Sequence, residues 1–283
     1  MRLPEELVAG LGSIRIVPVH GGDTARAYRL DTSNGPVFLK THPHPQPLMF
    51  EREARGLRAL RQAAPASLHI PEVLAVSQRG ILMEWIDEGH RCPGSDARLG
   101  EGLAELHTRP AQGFGGLDGD NIGFLGSVEV NMAPASSWPE FFLERRLRPL
   151  INRAVAEAGL PVEALRLLDV LEPRLGELCG PPEPPSLVHG DLWAGNRLVD
   201  ASGENWLVDP VAHHAHRESD LAMMQLFGGF GDATFAAYQQ VHPLADGWQQ
   251  RVPWYQLAPL LVHVIIFGGG YVDAVMSRLR ALG

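Results

Sequence analysis

The sequence predicts an α+β chain in two lobes: a small N-terminal lobe built on an antiparallel sheet with one helix, and a larger, mainly helical C-terminal lobe. Three observations carry this. The first third holds short runs of β-branched and aromatic residues cut by turn signals. A single segment there changes to helical spacing. From Ser95 onward apolar residues recur mostly at helical intervals.

In chain order, SIRIVPV, ARAYRL and GPVFLK read as three consecutive antiparallel strands, separated by the turn signals GGD and TSNG. Leu48–Gln62 carries apolar residues at 50, 54, 57 and 60, the stripe of an amphipathic helix. EVLAVSQ and RGILMEWID form a hairpin pair. Periodicity is lost in WIDEGHRCPGS, which places a lobe boundary near Asp87–Cys92, with lobes at 1–87 and 88–283. SDARLGEGLAELHTR starts a helix with a Ser/Asp cap. AQGFGGLDGDNIGFLGS reads as a long glycine-rich functional loop. WPEFFLERRLRPLINRAVAEAG and VEALRLLDVLEPRLGEL return to helix, GPPEPPS is a stiff lead-in, and two strand-like pieces follow. Helices are expected over Ser219–Phe227, Asp232–Gln240 and Pro253–Ala281.

A net charge of −9 argues against broad attraction to nucleic acid or an anionic membrane. Cys92 and Cys179 show no metal-ligand spacing and read as two isolated thiols of a reducing cytosol. MRLPEELVAG lacks the basic-then-apolar order of a signal peptide. Leu257–Phe267 is too short to span a bilayer and reads as a buried helix. A cytoplasmic protein is expected, with its oligomeric state open.

The chemistry concentrates in SLVHGDLWAGNRLVD and NWLVDP. Strand-like flanks put His189, Gly190, Asp191 and Asn196 on a loop, with Asp209 beyond. Phosphoryl transfer from ATP needs metal across the phosphates, a lysine on them and a carboxylate that orients the acceptor hydroxyl. Asp191 fits the last role. Asn196 and Asp209 offer oxygens suited to Mg2+. The spacing H-G-D-x-x-x-x-N is that of a kinase catalytic loop with Gly190 in place of arginine. Taken alone, these acids also fit turns at strand ends. Lys40 at the end of VFLK, and Glu53 on the next helix, supply the phosphate-binding pair. Gly21 and Gly22, between the first two strands, suit a phosphate-covering loop, although a plain hairpin turn reads the same way. LMEWI closes the fifth strand: Met83 would line an adenine pocket, and Glu84, Trp85 and Ile86 would follow it, with backbone contacts from Glu84 and Ile86.

With those residues placed, the chain resembles the fructosamine kinase (ketosamine 3-kinase) family, whose protein-kinase-like fold is close to that of aminoglycoside phosphotransferases. MFEREARGLRAL, HGDLWAGN and DPVAHHAHRESDLAMMQLFGGF carry the likeness, which covers nearly the whole chain. The resemblance implies ATP- and Mg2+-dependent phosphorylation of the 3-hydroxyl of a ketoamine sugar on an amine or protein lysine, giving an unstable product that releases the amine. It implies Asp191 as base, Asn196 and Asp209 as metal ligands, Lys40 with Glu53 as the phosphate-binding pair, and Trp193 beside the sugar, where an indole face suits stacking. Glu218 and Asp220 would anchor the metal-binding loop or its helix start. His213, His214 and His216 lack the partners of a zinc site, and the first two stand where this family often has tyrosine. The alternatives are an aminoglycoside- or choline-type phosphotransferase on the same fold, and a nucleotide-binding pseudokinase that regulates a partner.

Overall fold

A computed structural model describes residues 3–19, 25–109 and 111–283. After a short helix α1 (Glu5–Val8), the chain lays down β1 (Arg15–Val19), β2 (Arg26–Thr32), β3 (Gly35–Thr41), α2 (Met49–Ala63), β4 (Leu68–His69), β5 (Val73–Ser77) and β6 (Gly80–Glu84). The larger strands form one antiparallel sheet in the order β1-β2-β3-β6-β5. Its two faces are covered differently. Tyr28, Leu30, Leu39 and Leu82 pack with Leu7 of α1 on one face. Because successive strand residues alternate in direction, Lys40 and its partner Ile81 point to the opposite face. That face meets α2, whose Phe50, Ala54, Leu57 and Leu60 are buried at the predicted spacing.

The core under α2 is continuous with the core of the rest of the chain. Helix α3 (Ser95–His107) opens the second region, but the expected Ser/Asp cap is not formed. Gly94 holds the N-cap position at φ 86° with no side-chain cap bond, and Ser95 Oγ instead donates back to Cys92 O at 2.9 Å. The expected glycine-rich loop is also more ordered than its composition implies. It contains β7 (Gly115–Gly116), a short 3-10 turn, and β8 (Ile122–Leu125), which forms a hairpin with β9 (Val128–Asn131) just beyond it.

Helix α4 (Trp138–Glu140) is capped by Ser137 Oγ, which accepts from Glu140 N at 3.3 Å. It runs through a π-helical stretch (Phe141–Leu147) into α5 (Arg148–Glu157). Then come α6 (Glu163–Leu171), α7 (Leu175–Leu178), β10 (Ser186–Val188), β11 (Arg197–Val199), β12 (Asn205–Leu207) and β13 (His213–Ala215). β10 pairs with β13, and β11 with β12, so the segments flanking the site are tied by two small sheets.

The chain ends with α8 (Glu218–Leu226), α9 (Asp232–Val241), α10 (Trp248–Tyr255), α11 (Leu257–Phe267) and α12 (Gly270–Leu282). The single helix expected over Pro253–Ala281 is therefore broken. Gly268 and Gly269 take φ of 62° and 58°, a left-handed reversal available to glycine, and the chain doubles back into α12. Among the described residues no helix is long and apolar enough to cross a membrane, and Cys92 and Cys179 are both free thiols.

Candidate active site

The loop after β10 is held from beneath by one buried carboxylate. Asp220, in the first turn of α8, accepts His189 N at 2.7 Å and Gly190 N at 2.9 Å. His107 Nε2 donates to the same carboxylate at 3.3 Å. His189 Nε2 donates to Val208 O at 2.9 Å, which leaves its Nδ1 to accept Asp191 N at 3.3 Å. Val211 N donates to His189 O at 2.9 Å, so the loop is bound to the segment after β12 as well.

Gly190 explains the departure from the usual arginine. Its φ is 82°, and a Cβ there would lie 2.2 Å from Val211 O. Only glycine fits both the conformation and the space.

Asp191 and Asn196 face one another. Asn196 Nδ2 donates to Asp191 O at 2.8 Å and to Asp191 Oδ2 at 3.2 Å, and lies 3.5 Å from Asp209 O. Burial pushes the Asp191 carboxyl up to about 7, helped by the nearby Asp209 charge and opposed by Asn196 and Lys40. Asp209 itself sits at φ 55°, a left-handed conformation that is costly for a non-glycine residue and recurs at functional sites.

The N-terminal lobe delivers the cation. Lys40 Nζ is 3.0 Å from Glu53 Oε1 and 3.0 Å from Asp209 Oδ2. The side chains of Lys40 and Glu53 are only 15% and 10% exposed, so this contact is shielded from water. Two carboxylates share one ammonium. Burial and the Asp209 charge push Glu53 up against the pull of Lys40. For Lys40, burial favours the neutral amine, but Asp209 and Glu53 outweigh it and hold the group above its usual value.

Among the described residues, no three His, Cys, Asp or Glu side chains converge as a metal cage. Mg2+ does not require one, because it is commonly held by one or two protein oxygens together with phosphates and water. Asn196 fits that use. Its Nδ2 is spent on the loop, which leaves Oδ1 as the amide's free acceptor beside Asp209.

Lys40, Glu53, Asp191, Asn196, Asp209 and Trp193 all line one cavity of about 700 Å3. Trp193 is 39% exposed rather than buried in the core. Gly195 admits its ring, since a Cβ there would lie 2.2 Å from the indole. The other sequence-predicted residues are not in these walls. Met83 is buried in the core beneath α2. Glu84 N donates to Glu72 O at 2.9 Å, and its carboxylate accepts Glu72 N at 3.1 Å. Trp85 lies under Arg29, 4.9 Å from its ring centre, and donates to Asp87 at 2.8 Å. Ile86 follows it outside the cavity. Gly21 and Gly22 lie outside the described residues.

The cavity adds residues that sequence reasoning missed. Arg52 and Arg55, on α2, both pair with Asp120. Their place next to Glu53 was a usable signal; the partner in the glycine-rich segment was not. His263, Phe267 and Tyr271 also line the cavity. Of the three histidines near β13, His213 Nδ1 donates to Val211 O at 2.8 Å, and burial lowers the group to about 3. His214 pairs with Leu187 across β10, and His216 stacks on Tyr255. Glu218 does not touch the loop; it pairs with Arg251 of α10 at 2.6 Å.

A two-lobed frame with a lysine–glutamate pair, a loop aspartate and an Asn/Asp oxygen pair around one cleft is the arrangement of a kinase-fold phosphotransferase. The profile of the fructosamine kinase family matches residues 7–282, and the chain belongs to that family, whose members are ATP-dependent phosphotransferases. An Enterococcus faecium protein named a probable ketoamine kinase is 36% identical over 271 residues, covering 94% of each chain. A crystal structure from Thermobifida fusca, named provisionally as a fructosamine-3-kinase, superposes with TM-score 0.88 at 36% identity, covering 98% of this chain and 96% of that one. An aminoglycoside phosphotransferase solved with AMP-PNP and hygromycin B shares the fold at TM-score 0.63 and 16% identity, over 98% of this chain and 96% of that one.

Proposed function

We propose that the protein transfers the γ-phosphoryl group of ATP to the 3-hydroxyl of a ketoamine, a sugar joined through C1 to an amine. The convergence of Lys40, Glu53, Asp191, Asn196 and Asp209 on one cavity that also exposes Trp193 is the observation that carries this reading. Lys40, oriented by Glu53, binds phosphate oxygens. Asp209 and Asn196 would hold Mg2+, which would neutralise phosphate charge when bound. Asp191 accepts the proton of the 3-hydroxyl as its oxygen bonds to the γ-phosphorus and the bond to the ADP oxygen breaks. A carboxyl held near 7 suits proton acceptance at neutral pH. Trp193, two residues after Asp191, gives the sugar a flat wall. The rest of the rate comes from holding donor and acceptor in line in a shielded site.

Phosphate placed on C3 sits beside the C2 carbonyl, where it is a good leaving group once that ketone enolises. With enolisation toward C1, loss of phosphate leaves an imine at C1, and its hydrolysis by water frees the amine, which makes the reaction a deglycation step. Met83–Ile86 are the adenine-side segment in this reading, and Gly21 and Gly22 belong to the loop over the phosphates. In this reading the lobes divide between residues 87 and 88, which is supported by Gly89 N donating to Val199 O at 2.8 Å in the second lobe, while β4 of the first lobe also pairs with β12. The setting is the cytoplasm, and the amine is that of a small molecule or a glycated lysine.

The test is an acceptor panel of ketoamines, aminoglycosides and choline with ATP and Mg2+, read as ADP release and as phosphate on the acceptor. Ketoamines are expected to turn over. Asp191→Ala should abolish transfer while nucleotide binding persists. Turnover of another acceptor class with inert ketoamines would overturn the substrate, and full activity in Asp191→Ala would overturn the assigned base.

A further inference from the structure

Part of the cavity wall is made of rings to which phosphoryl transfer gives no role. From Trp193 a run of rings leads along its wall. Trp193 meets Phe227 edge-on at 6.4 Å between centroids. Phe227 lies 5.0 Å from His263, and His263 lies 5.6 Å from Phe267 and 4.9 Å from Tyr271. All five line the cavity that contains Asp191.

The backbone is shaped to build this run. His263 and Phe267 are four residues apart on α11, so they share one face of the helix. The adjoining side of α11, with Leu257, Leu260, Leu261 and Val264, is buried in the core. Gly268 and Gly269 take left-handed conformations although a Cβ at either would meet nothing within 4 Å. They are therefore required for direction rather than room, and the reversal they make sets Tyr271 against His263 and Phe267. His263 Nδ1 donates to Pro259 O at 2.8 Å, which fixes the imidazole within the row.

These rings are not ordinary core. Trp193, Phe227 and Phe267 keep 39%, 43% and 48% of their surface exposed. Open rings on a concave wall continuous with a reaction centre are a binding surface for a flat apolar group. The row begins at Trp193, two residues after Asp191, where the sugar's 3-hydroxyl must lie, and none of its ring contacts involves Lys40, Glu53 or Asp209. What extends from a ketoamine on that side is the substituent of its amine.

We propose that Phe227, His263, Phe267 and Tyr271 form a subsite for the amine side of the acceptor and that it selects ketoamines of aryl or aralkyl amines. The subsite rests on the ketoamine kinase reading above. Two or three rings in contact with an aromatic substituent favour it over a methyl group by about tenfold or more in kcat/KM.

The experiment compares three adducts of one ketose, with methylamine, benzylamine and the lysine ε-amine, on the wild type and on Phe267→Leu and Tyr271→Leu. Leucine keeps apolar bulk and removes the ring, and melting temperature confirms folding of each variant. The benzylamine adduct is expected to lead in the wild type, with the gain in KM. Its advantage over the methylamine adduct should fall by about three- to tenfold in at least one variant. Equal kcat/KM for benzylamine and methylamine adducts in the wild type, or an advantage unchanged in both variants, overturns the subsite while leaving the kinase reading intact. A preference for the lysine adduct over the benzylamine adduct also overturns it, because an alkyl chain ending in charge gains little from the row. If no adduct is phosphorylated, the ketoamine reading itself fails.

Discussion

Asp220→Asn should separate loop support from nucleotide binding. Asp220 is 1% exposed and receives His189 N at 2.7 Å, Gly190 N at 2.9 Å and His107 Nε2 at 3.3 Å. An amide in its place offers one oxygen and one NH2 group, so at least one backbone N–H of the loop faces a donor. A buried unsatisfied donor costs about 1–3 kcal/mol, and the remaining bonds lose their charge assistance, for a total of about 2–4 kcal/mol. For a chain of this size that lowers the melting temperature by about 4–10 °C. Because Asp191 follows directly on these two amides, kcat should fall by about tenfold or more, while nucleotide affinity stays within about threefold. Burial alone would raise the Asp220 carboxyl, but His107, His189 and the Gly190 N–H outweigh it and leave the group below 3.8. A depressed acid stabilises above its unfolded value and loses that contribution as pH falls through its folded one. The gap between wild type and variant should therefore persist from about pH 5 to 8 and narrow only in stronger acid. Thermal melts across that range and steady-state kinetics check both parts. A melting temperature within about 1 °C of wild type, with kcat intact, would show that the carboxylate does not hold the loop.

Three further substitutions probe other links. Gly190→Ala forces a Cβ to 2.2 Å from Val211 O at φ 82°; the loop must move, and activity should fall by about tenfold or more with a loss of about 1–3 kcal/mol, read by kinetics and denaturant melts. Glu183→Gln weakens the paired bonds from Arg217 Nε at 2.7 Å and Nη2 at 2.8 Å. The Glu183 carboxyl is only part-buried; burial would raise it, but Arg217 and His216 hold it below 4.5, so the lost stability should appear above about pH 5 and vanish in acid, with kcat little changed. Gly56→Leu pushes α2 off the segment after Asp209, since even a Cβ would stand 3.2 Å from Ala212 Cβ; kcat/KM should drop at least about tenfold, and wild-type kinetics would remove that coupling.

The grouping of the candidate site residues was legible because it depends on short periodicities. Alternation in GPVFLK puts Lys40 on the face opposite Leu39, and the stripe at 50, 54, 57 and 60 turns α2 so that Glu53 meets it. The loop signature marks Asp191 and Asn196 directly. What stayed hidden depends on long-range contacts. VEVN alternates as a strand should, yet the glycines around it mask the hairpin it forms with Ile122–Leu125. Gly268 and Gly269 break a helix in a segment whose apolar pattern continues on either side. The Ser95 cap was a local expectation that Gly94 displaced by taking a left-handed turn. The aromatic wall of the cavity was missed for a related reason: His263, Phe267 and Tyr271 look like ordinary core residues until the reversal sets Tyr271 against the other two.

The lysine–glutamate pair also explains why α2 is packed as it is. A salt bridge shared by three charges is a poor source of net stability, because burying those charges offsets their attraction. Its position must therefore be imposed by apolar packing. Helix α2 buries Phe50, Ala54, Leu57 and Leu60 in the core shared with the second lobe, and Gly56 lets it close on Pro210 and Ala212, directly after Asp209. The face that carries Glu53 is thus fixed to the segment that carries Asp209, and Lys40 is positioned between the two carboxylates by both lobes at once. Geometry around Lys40 then depends on the fit between α2 and that segment more than on the strength of any single ion pair.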